Sequence, residues 1–149
     1  MMGRPSAEDT QDSPPGPSMI SWNITRRCNL RCPHCYLDAT FAPGEGELST
    51  ESALEVVEQI ARLSAGAMLV FSGGEPLMRR DLPALVKCAA GRGLMPVLGT
   101  NGTLLDELTI RELLACGLAG TGISLDSPTP DYHDAFRGTE GSWQGALAA

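Results

Sequence analysis

Short apolar runs recur along the chain, separated by longer stretches in which apolar side chains follow a helical spacing. The run at residues 67–71 is wholly apolar, which is typical of a strand in a parallel sheet that is buried on both faces. The pattern therefore predicts four strands, at residues 19–24, 67–71, 95–99 and 120–125.

Helices are predicted between and after these strands. Leu54, Val57 and Ile60 recur at a spacing that places them on one face of a helix. Ser, Thr and Asp accept hydrogen bonds from the first amides of a helix, and glycine favours its C-terminal end. These signals predict helices from Ser49 or Thr50 to Ser64, from Asp81 to Gly93 and from Asp106 to Gly117, and then, after a loop with Pro128 and Pro130, from about Ser142.

The alternation of strands and helices predicts an α/β fold with a parallel sheet, in which ligands bind beyond the carboxyl ends of the strands. The ordered domain is expected at residues 19–149, after a disordered, proline-rich leader at residues 1–18. Only about four β/α units are present, so the sequence predicts a partial parallel (β/α) barrel whose C-terminal half is missing. The chain would then be a fragment, a truncated gene product or a half that needs a partner.

Composition narrows the class of protein. The 149 residues are 42% hydrophobic and 19% charged, with a net charge of -7, as in a globular protein with an acidic surface. This charge argues against a nucleic-acid partner. No apolar run approaches the roughly 20 residues that cross a bilayer, so no membrane partner is expected. Five cysteines, an odd number, favour a reducing cytoplasm over a disulfide framework.

Three of these cysteines, Cys28, Cys32 and Cys35, form a C-x3-C-x2-C pattern directly after the first predicted strand. Core cysteines usually occur singly, so this crowding predicts a site for iron–sulfur chemistry or zinc. No second cysteine pair or suitably spaced histidine pair completes the four ligands of a structural zinc. Three ligands would leave one position open for a small molecule. Cys88 and Cys116 are expected to be buried hydrophobic residues instead.

Glycine-rich or polar residues follow the other predicted strands. Residues 73–76, Gly-Gly-Glu-Pro, follow the second strand, and Thr100 and Asn101 follow the third. Glycine permits unusual backbone conformations and the close approach of a ligand. Thr-Asn-Gly is equally typical of an ordinary turn. Ser124 and Asp126 end the fourth strand, and its period of two predicts that they share one face.

The cysteine triad, Gly73-Gly74-Glu75-Pro76 and Ser124 together resemble the radical S-adenosylmethionine (radical SAM) enzymes. The resemblance covers residues 19–149. Residues 19–39, 71–80, 99–103 and 122–138 are most similar to the tetrapyrrole-modifying branch, which serves haem d1 synthesis and the sirohaem-dependent haem pathway and includes the didecarboxysirohaem deacetylases. Related peptide-modifying and cofactor-maturing enzymes share much of this pattern.

The resemblance implies that the three cysteines bind a [4Fe–4S] cluster whose fourth iron binds SAM. It implies that His34 lies beside the adenine, that Gly73 and Gly74 permit close approach of SAM, and that Ser124 contacts the ribose. It also implies that Glu75 accepts a hydrogen bond from the methionine ammonium group.

Several of the site residues have two candidate roles. Arg137 would pair with the SAM carboxylate or form a loop salt bridge, and Asp126 would contact the ribose or order its loop. Thr100 and Asn101 would reach the ribose or the substrate, or simply form a turn. His133 is expected at the surface.

The activity implied is reductive cleavage of SAM to methionine and a 5′-deoxyadenosyl radical, which takes a hydrogen atom from a sirohaem-derived tetrapyrrole. An external donor such as flavodoxin or ferredoxin would supply the electron. Two alternatives are the maturation of a peptide or another cofactor, and a fragment or subunit that binds the cluster and SAM without chemistry.

Overall fold

The computed structural model describes residues 16–42 and 46–149, so most of the predicted leader lies outside the described residues. The strands are β1 (Met19–Thr25), β2 (Met68–Gly73), β3 (Met95–Thr100) and β4 (Gly120–Ile123). The helices are α1 (Thr50–Leu63), α2 (Leu82–Gly91), α3 (Glu107–Ala115), α4 (Pro130–Arg137) and α5 (Ser142–Ala148), with a 3-10 turn at Pro76–Met78. No helix in the described part of the chain is long and apolar enough to cross a membrane.

The four strands form one parallel sheet in the order β1-β2-β3-β4. Each strand pairs in parallel with the next one along the chain. Parallel neighbours need a crossover, and a helix lies in each connection, which confirms the predicted β–α–β units. All four carboxyl ends therefore lie at one end of the sheet, and the loops that follow them come together there.

Helices cover one face of this sheet. Leu69 and Phe71 on β2 and Leu98 on β3 are fully buried in a cluster that includes Val57 of α1. The alternate residue Val70 is only half-buried. The prediction that β2 is buried on both faces was wrong, because the helices of the core cluster pack on only one side of this strand. The other face is open, like the inner side of an incomplete barrel.

Two of the predicted helix caps are confirmed and one is wrong. The side chain of Ser49 accepts a hydrogen bond of 3.2 Å from the first turn of α1, and Asp106 accepts one of 2.7 Å from the first turn of α3. Asp81 precedes α2 but its side chain caps no amide. Its carboxylate instead accepts hydrogen bonds from Arg79 Nε at 2.8 Å and Arg79 Nη2 at 2.6 Å. A charge-assisted, two-point pair of this kind is stronger than a neutral cap.

Arg79 also connects two other parts of the fold. Its Nη1 donates to the carbonyl of Ile24 at 2.9 Å, and its Nη2 donates to the carbonyl of Leu48 at 3.2 Å. Thr50 Oγ1 donates to the other side of the pair, Asp81 Oδ2, at 2.8 Å. The buried guanidinium therefore joins the end of β1 to the starts of α1 and α2.

The segment after β4 departs from the prediction. A loop was predicted through Pro128 and Pro130, but α4 begins at Pro130. Proline is well suited to the first turn of a helix, where its fixed φ fits and its missing N–H is not needed. Gly138, with φ of 64°, ends this helix in the left-handed conformation. β4 is also shorter than predicted, since it ends at Ile123.

Candidate functional site

The cysteine loop leaves the end of β1 and folds back on itself. Cys28 N donates to the carbonyl of Thr40 at 2.8 Å, and Cys35 N donates to the carbonyl of Cys32 at 3.1 Å in a tight turn. Cys28 is buried, Cys32 and Cys35 are half-buried, and all three thiols are free. All three line one cavity, so the loop brings the predicted ligands together around an accessible space.

This cavity has a volume of about 270 Å³ and lies among the loops that follow the four strands. Two of the predicted site residues, Glu75 and Asp126, do not line it. The predicted residues that do are Cys28, Cys32, His34, Cys35, Gly73, Gly74, Thr100, Asn101, Ser124 and Arg137. The cavity is also lined by residues that were not predicted, among them Leu30, Tyr36 and Ser72.

Gly73 and Gly74 pack the end of β2 against the cysteine loop. Gly73 has φ of 125°, a conformation that other residues rarely adopt. A Cβ on Gly74 would lie 2.7 Å from the carbonyl carbon of Arg27 and closer still to its oxygen. Gly74 N donates to the carbonyl of Thr25 at 2.9 Å, and the next amide donates to the carbonyl of Arg27 at 2.7 Å. The chain's own backbone therefore requires these glycines, beside the first cysteine.

Glu75 is fully buried behind the cavity wall. Its Oε1 accepts hydrogen bonds from Thr100 Oγ1 at 2.8 Å and Leu77 N at 3.1 Å, and its Oε2 accepts one from Asn101 N at 2.8 Å. Burial raises the pKa of this carboxyl, and the hydrogen bonds from Asn101, Thr100 and Leu77 oppose the rise. The carboxylate therefore holds the end of β3. The expected contact with an ammonium group stays a prediction.

The residues after β3 extend this network to the cysteine loop. Asn101 Oδ1 accepts hydrogen bonds from Thr103 N at 2.9 Å and Thr103 Oγ1 at 2.7 Å. Asn101 Nδ2 donates to Asn29 Oδ1 at 2.9 Å and lies 4.0 Å from Cys28 Sγ. Thr-Asn-Gly thus forms a turn, and its asparagine is connected to the first cysteine.

Asp126, His133 and Arg137 form a polar cluster after β4. Arg137 Nε donates to Asp126 Oδ2 at 2.5 Å, and Asp126 N donates to His133 Nδ1 at 3.2 Å. His133 is only 1% exposed, so the prediction of a surface histidine was wrong. The reason is α4, which places this residue on the buried side of a helix. Because β4 ends before Ser124, the period of two does not extend to Asp126, and only Ser124 of this pair lines the cavity.

His34 stacks on a residue that was not predicted to belong to the site, Phe136 of α4. The ring centroids are 3.8 Å apart with an angle of 17° between the planes. Tyr132 in turn stacks on Phe136, with ring centroids 6.1 Å apart. The signal in the sequence was the four-residue spacing of Tyr132 and Phe136, which the predicted loop concealed. The stack fixes the plane of the imidazole at the cavity.

The three thiols are the type of ligand that iron–sulfur clusters use. Within residues 16–42 and 46–149, no three His, Cys, Asp or Glu side chains converge closely enough to hold one metal ion. A cluster distributes its thiolate ligands over separate irons, so these lie farther apart than the ligands of one tetrahedral zinc. Three free thiols that line one cavity would supply the ligands of a cluster with one open iron.

A larger cavity, of about 420 Å³, lies beside β1. It shares Tyr36 with the cysteine cavity and is otherwise lined by residues such as Trp22, Leu37 and Glu47. None of the predicted site residues lines it. The cavity lined by the three cysteines is the candidate site, because its thiols are potential metal ligands, although the other cavity is larger.

A family model and several curated proteins match this chain over most of its length. A family model described as the radical SAM superfamily matches residues 22–149. The chain is 43% identical over 129 residues to the Fe-coproporphyrin III synthase of Methanosarcina barkeri, covering 87% of this chain and 32% of that protein. It is 42% identical over 130 residues to the pre-heme d1 synthase of Dinoroseobacter shibae, covering 87% and 32%. It is 36% identical over 137 residues to the AdoMet-dependent heme synthase of Oleidesulfovibrio alaskensis, covering 92% and 35%. The chain thus spans about a third of the length of these curated relatives.

Solved structures share the fold. Histidine-tagged anSMEcpe with bound AdoMet matches with a TM-score of 0.68 at 23% identity, over 90% of this chain and 40% of that one. Streptococcus suis SuiB bound to precursor peptide SuiA matches with a TM-score of 0.70 at 19% identity, over 87% and 29%. At these identities the likeness concerns the fold alone.

Proposed function

Because the chain belongs to the radical SAM superfamily, whose cofactors are a [4Fe–4S] cluster and SAM, we propose that its cysteine cavity binds both. Cys28, Cys32 and Cys35 would hold the cluster. The observation that carries this proposal is that three free thiols and the loops after all four strands line one cavity. When bound, the cluster and SAM supply a one-electron cleavage that yields methionine and a 5′-deoxyadenosyl radical.

Arg137 and Ser124 are the proposed contacts for the carboxylate and ribose of SAM. Arg137 donates through Nε to Asp126 and also interacts with the side chain of Cys32. A guanidinium carries five N–H donors, so others remain for the SAM carboxylate. Both residues line the cavity. Asp126 would hold Arg137 in position rather than touch SAM. Arg137 would then combine its two candidate roles, whereas Asp126 would only order its loop.

His34 and the glycine turn complete the proposed SAM site. The imidazole, stacked on Phe136, would present its edge or free face to the adenine. Gly73 and Gly74 line the cavity, where the absence of side chains leaves room for the methionine part. Glu75 would contribute to the site indirectly, by holding Thr100 and Asn101 at the cavity wall. Its own carboxylate is buried outside the cavity and already accepts three hydrogen bonds.

We propose a tetrapyrrole substrate for the protein to which this sequence belongs. The three relatives above are 36–43% identical and are named for tetrapyrrole products. SuiB, the neighbour bound to a precursor peptide, is only 19% identical, so peptide maturation has weaker support. A part that binds the cluster and SAM without chemistry is the remaining alternative, because the chain spans about a third of its relatives. An external donor such as flavodoxin or ferredoxin, in the cytoplasm, would supply the electron.

Production of 5′-deoxyadenosine tests the proposal. The anaerobically reconstituted chain is incubated with SAM and dithionite, and 5′-deoxyadenosine is quantified by chromatography. We expect product from the wild type and none from Cys32→Ala. Binding of SAM without cleavage would favour the non-catalytic alternative, and absence of both would refute the SAM site.

The substrate class is tested separately. Didecarboxysirohaem, an iron coproporphyrin and an unmodified peptide are compared as additions to the same assay. Tetrapyrrole binding or a tetrapyrrole-dependent rise in 5′-deoxyadenosine is expected. A response to the peptide alone would overturn the tetrapyrrole assignment and leave the cluster and SAM assignment intact.

A further inference from the structure

The amide of Asn101 has one orientation that satisfies its neighbours. Its Oδ1 accepts two hydrogen bonds, from Thr103 N at 2.9 Å and from Thr103 Oγ1 at 2.7 Å. An amide nitrogen cannot accept from these donors. The amino group of Asn101 must therefore point the other way, toward the cysteine loop.

That amino group carries two hydrogens, and the structure gives one partner for each. Nδ2 donates to Asn29 Oδ1 at 2.9 Å, and the second partner within reach is Cys28 Sγ at 4.0 Å. Asn101 is 7% exposed and Cys28 is 9% exposed, so little water competes for this contact. Leu30 N donates to the same sulfur at 3.4 Å.

The backbone of Asn101 is fixed as firmly as its side chain. Its N–H donates to Glu75 Oε2 at 2.8 Å, and Glu75 also accepts from Thr100 Oγ1 at 2.8 Å. Thr100 and Asn101 are thus both hydrogen-bonded to the buried carboxylate of Glu75. The donor is therefore held in place by the chain's own groups, as outer-shell residues that adjust a metal centre are.

We propose that Asn101 is a positioning residue for the cluster, which donates a hydrogen bond to the Cys28 sulfur and raises the reduction potential of the bound [4Fe–4S] centre. This inference rests on the proposed cluster site. Reduction adds negative charge to the cluster and its sulfurs, so a donor to a ligand sulfur favours the reduced form. The role differs from contact with ribose or substrate, which the sequence analysis considered for this residue.

The test is the midpoint potential of the reconstituted cluster, followed by electron paramagnetic resonance during a redox titration. Asn101→Leu removes the donor but keeps a side chain branched at Cγ, and Thr103→Val is the matched control. The control removes the Thr103 hydroxyl, which donates to Asn101 Oδ1 and accepts from Asn29 Nδ2 at 2.7 Å, but keeps the Thr103 N–H that orients Asn101. Iron and sulfide content and SAM binding are measured on the same preparations.

We expect the reduced-to-oxidised ratio of Asn101→Leu to fall about threefold at a fixed applied potential, the size of effect expected for a weak hydrogen bond to sulfur. At 59 mV per tenfold for one electron, this is a shift of roughly 30 mV to more negative potential. Thr103→Val should have the same midpoint potential as the wild type. An unchanged potential in Asn101→Leu, or an equal shift in Thr103→Val, would overturn the inference.

Failure of the cluster site would be distinguishable from failure of this inference. A wild type that takes up no cluster would refute the proposed function and the inference with it. A loaded wild type with an unshifted Asn101→Leu would refute the inference alone. If Asn101→Leu loses its cluster, Asn101→Ala, which also lacks a donor, carries the same prediction. Loss from both variants, with Thr103→Val loaded, would assign Asn101 to cluster retention and overturn the tuning role.

Discussion

Replacing Gly74 with alanine should weaken the fold at the point where β2 contacts the cysteine loop. The new Cβ would lie 2.7 Å from the carbonyl carbon of Arg27, whereas ordinary contacts begin at 3.4 Å. The carbonyl group must therefore move by at least about 0.7 Å. It is backbone, held by a hydrogen bond of 2.7 Å from Glu75 N, and cannot rotate away as a side chain could.

Two costs follow from this displacement. Overpacking a close contact costs about 1–3 kcal/mol, and disrupting the buried hydrogen bond to the Arg27 carbonyl costs a similar amount. We therefore expect Gly74→Ala to lower the free energy of unfolding by about 2–5 kcal/mol. Arg27 directly precedes Cys28, so the same shift should also reduce the iron retained after reconstitution.

Gly91→Ala is the matched control, because a Cβ there has nothing within 4 Å. Gly91 is the last residue of α2, and alanine is favoured over glycine in a helix by about 0.5–1 kcal/mol. Urea denaturation followed by circular dichroism gives the unfolding free energies, and iron is assayed on reconstituted samples. Equal stability and iron content in the two variants would refute the argument from close backbone contact.

The remaining predictions concern buried side chains. Arg79→Lys keeps the charge but loses the two-point pair with Asp81, so urea denaturation should show a loss of about 1–3 kcal/mol. The hydrogen bond from Arg79 holds the pKa of Asp81 below its usual 3.8, so its stabilisation is present above pH 3.8 and lost as pH falls through the lower folded value. Denaturation across that range should be less pH-dependent in Asp81→Asn. Burial raises the pKa of Glu75 above 4.5, so stability should fall as pH rises from 4.5 toward the folded value, and Glu75→Gln should remove that slope. Phe136→Leu should cost about 0.5–1.5 kcal/mol by urea denaturation and change the NMR ring shifts of His34. An unchanged His34 spectrum would contradict the stack.

The strands and first three helices followed from the sequence because their signals are local. Apolar runs and capping residues such as Ser49 and Asp106 act within a few positions. The helix α4 was missed because Pro130 was interpreted as a loop residue, although proline is equally compatible with the first helical turn. That single choice also concealed the burial of His133 and the stack of Phe136 on His34.

The position of the site could be predicted, but its hydrogen bonds could not. Parallel strands bring their carboxyl ends together whatever their side chains, so the cysteines and the glycine turn were expected to meet. Which atom faces which depends on pairing between loops distant in sequence. The contact of Glu75 with Asn101 joins residues 26 positions apart, and that of Asn101 with Asn29 spans 72. No local pattern encodes such partners.

Cys28, Cys32 and Cys35 are proposed to hold a cluster in the cavity beyond the sheet. Iron and acid-labile sulfide per chain, measured after anaerobic reconstitution, test this proposal most directly. We predict about four of each in the wild type, as for one [4Fe–4S] cluster, and loss of both in the variant with all three cysteines replaced by alanine. One zinc per chain with no sulfide, or equal iron in the triple variant, would contradict the account.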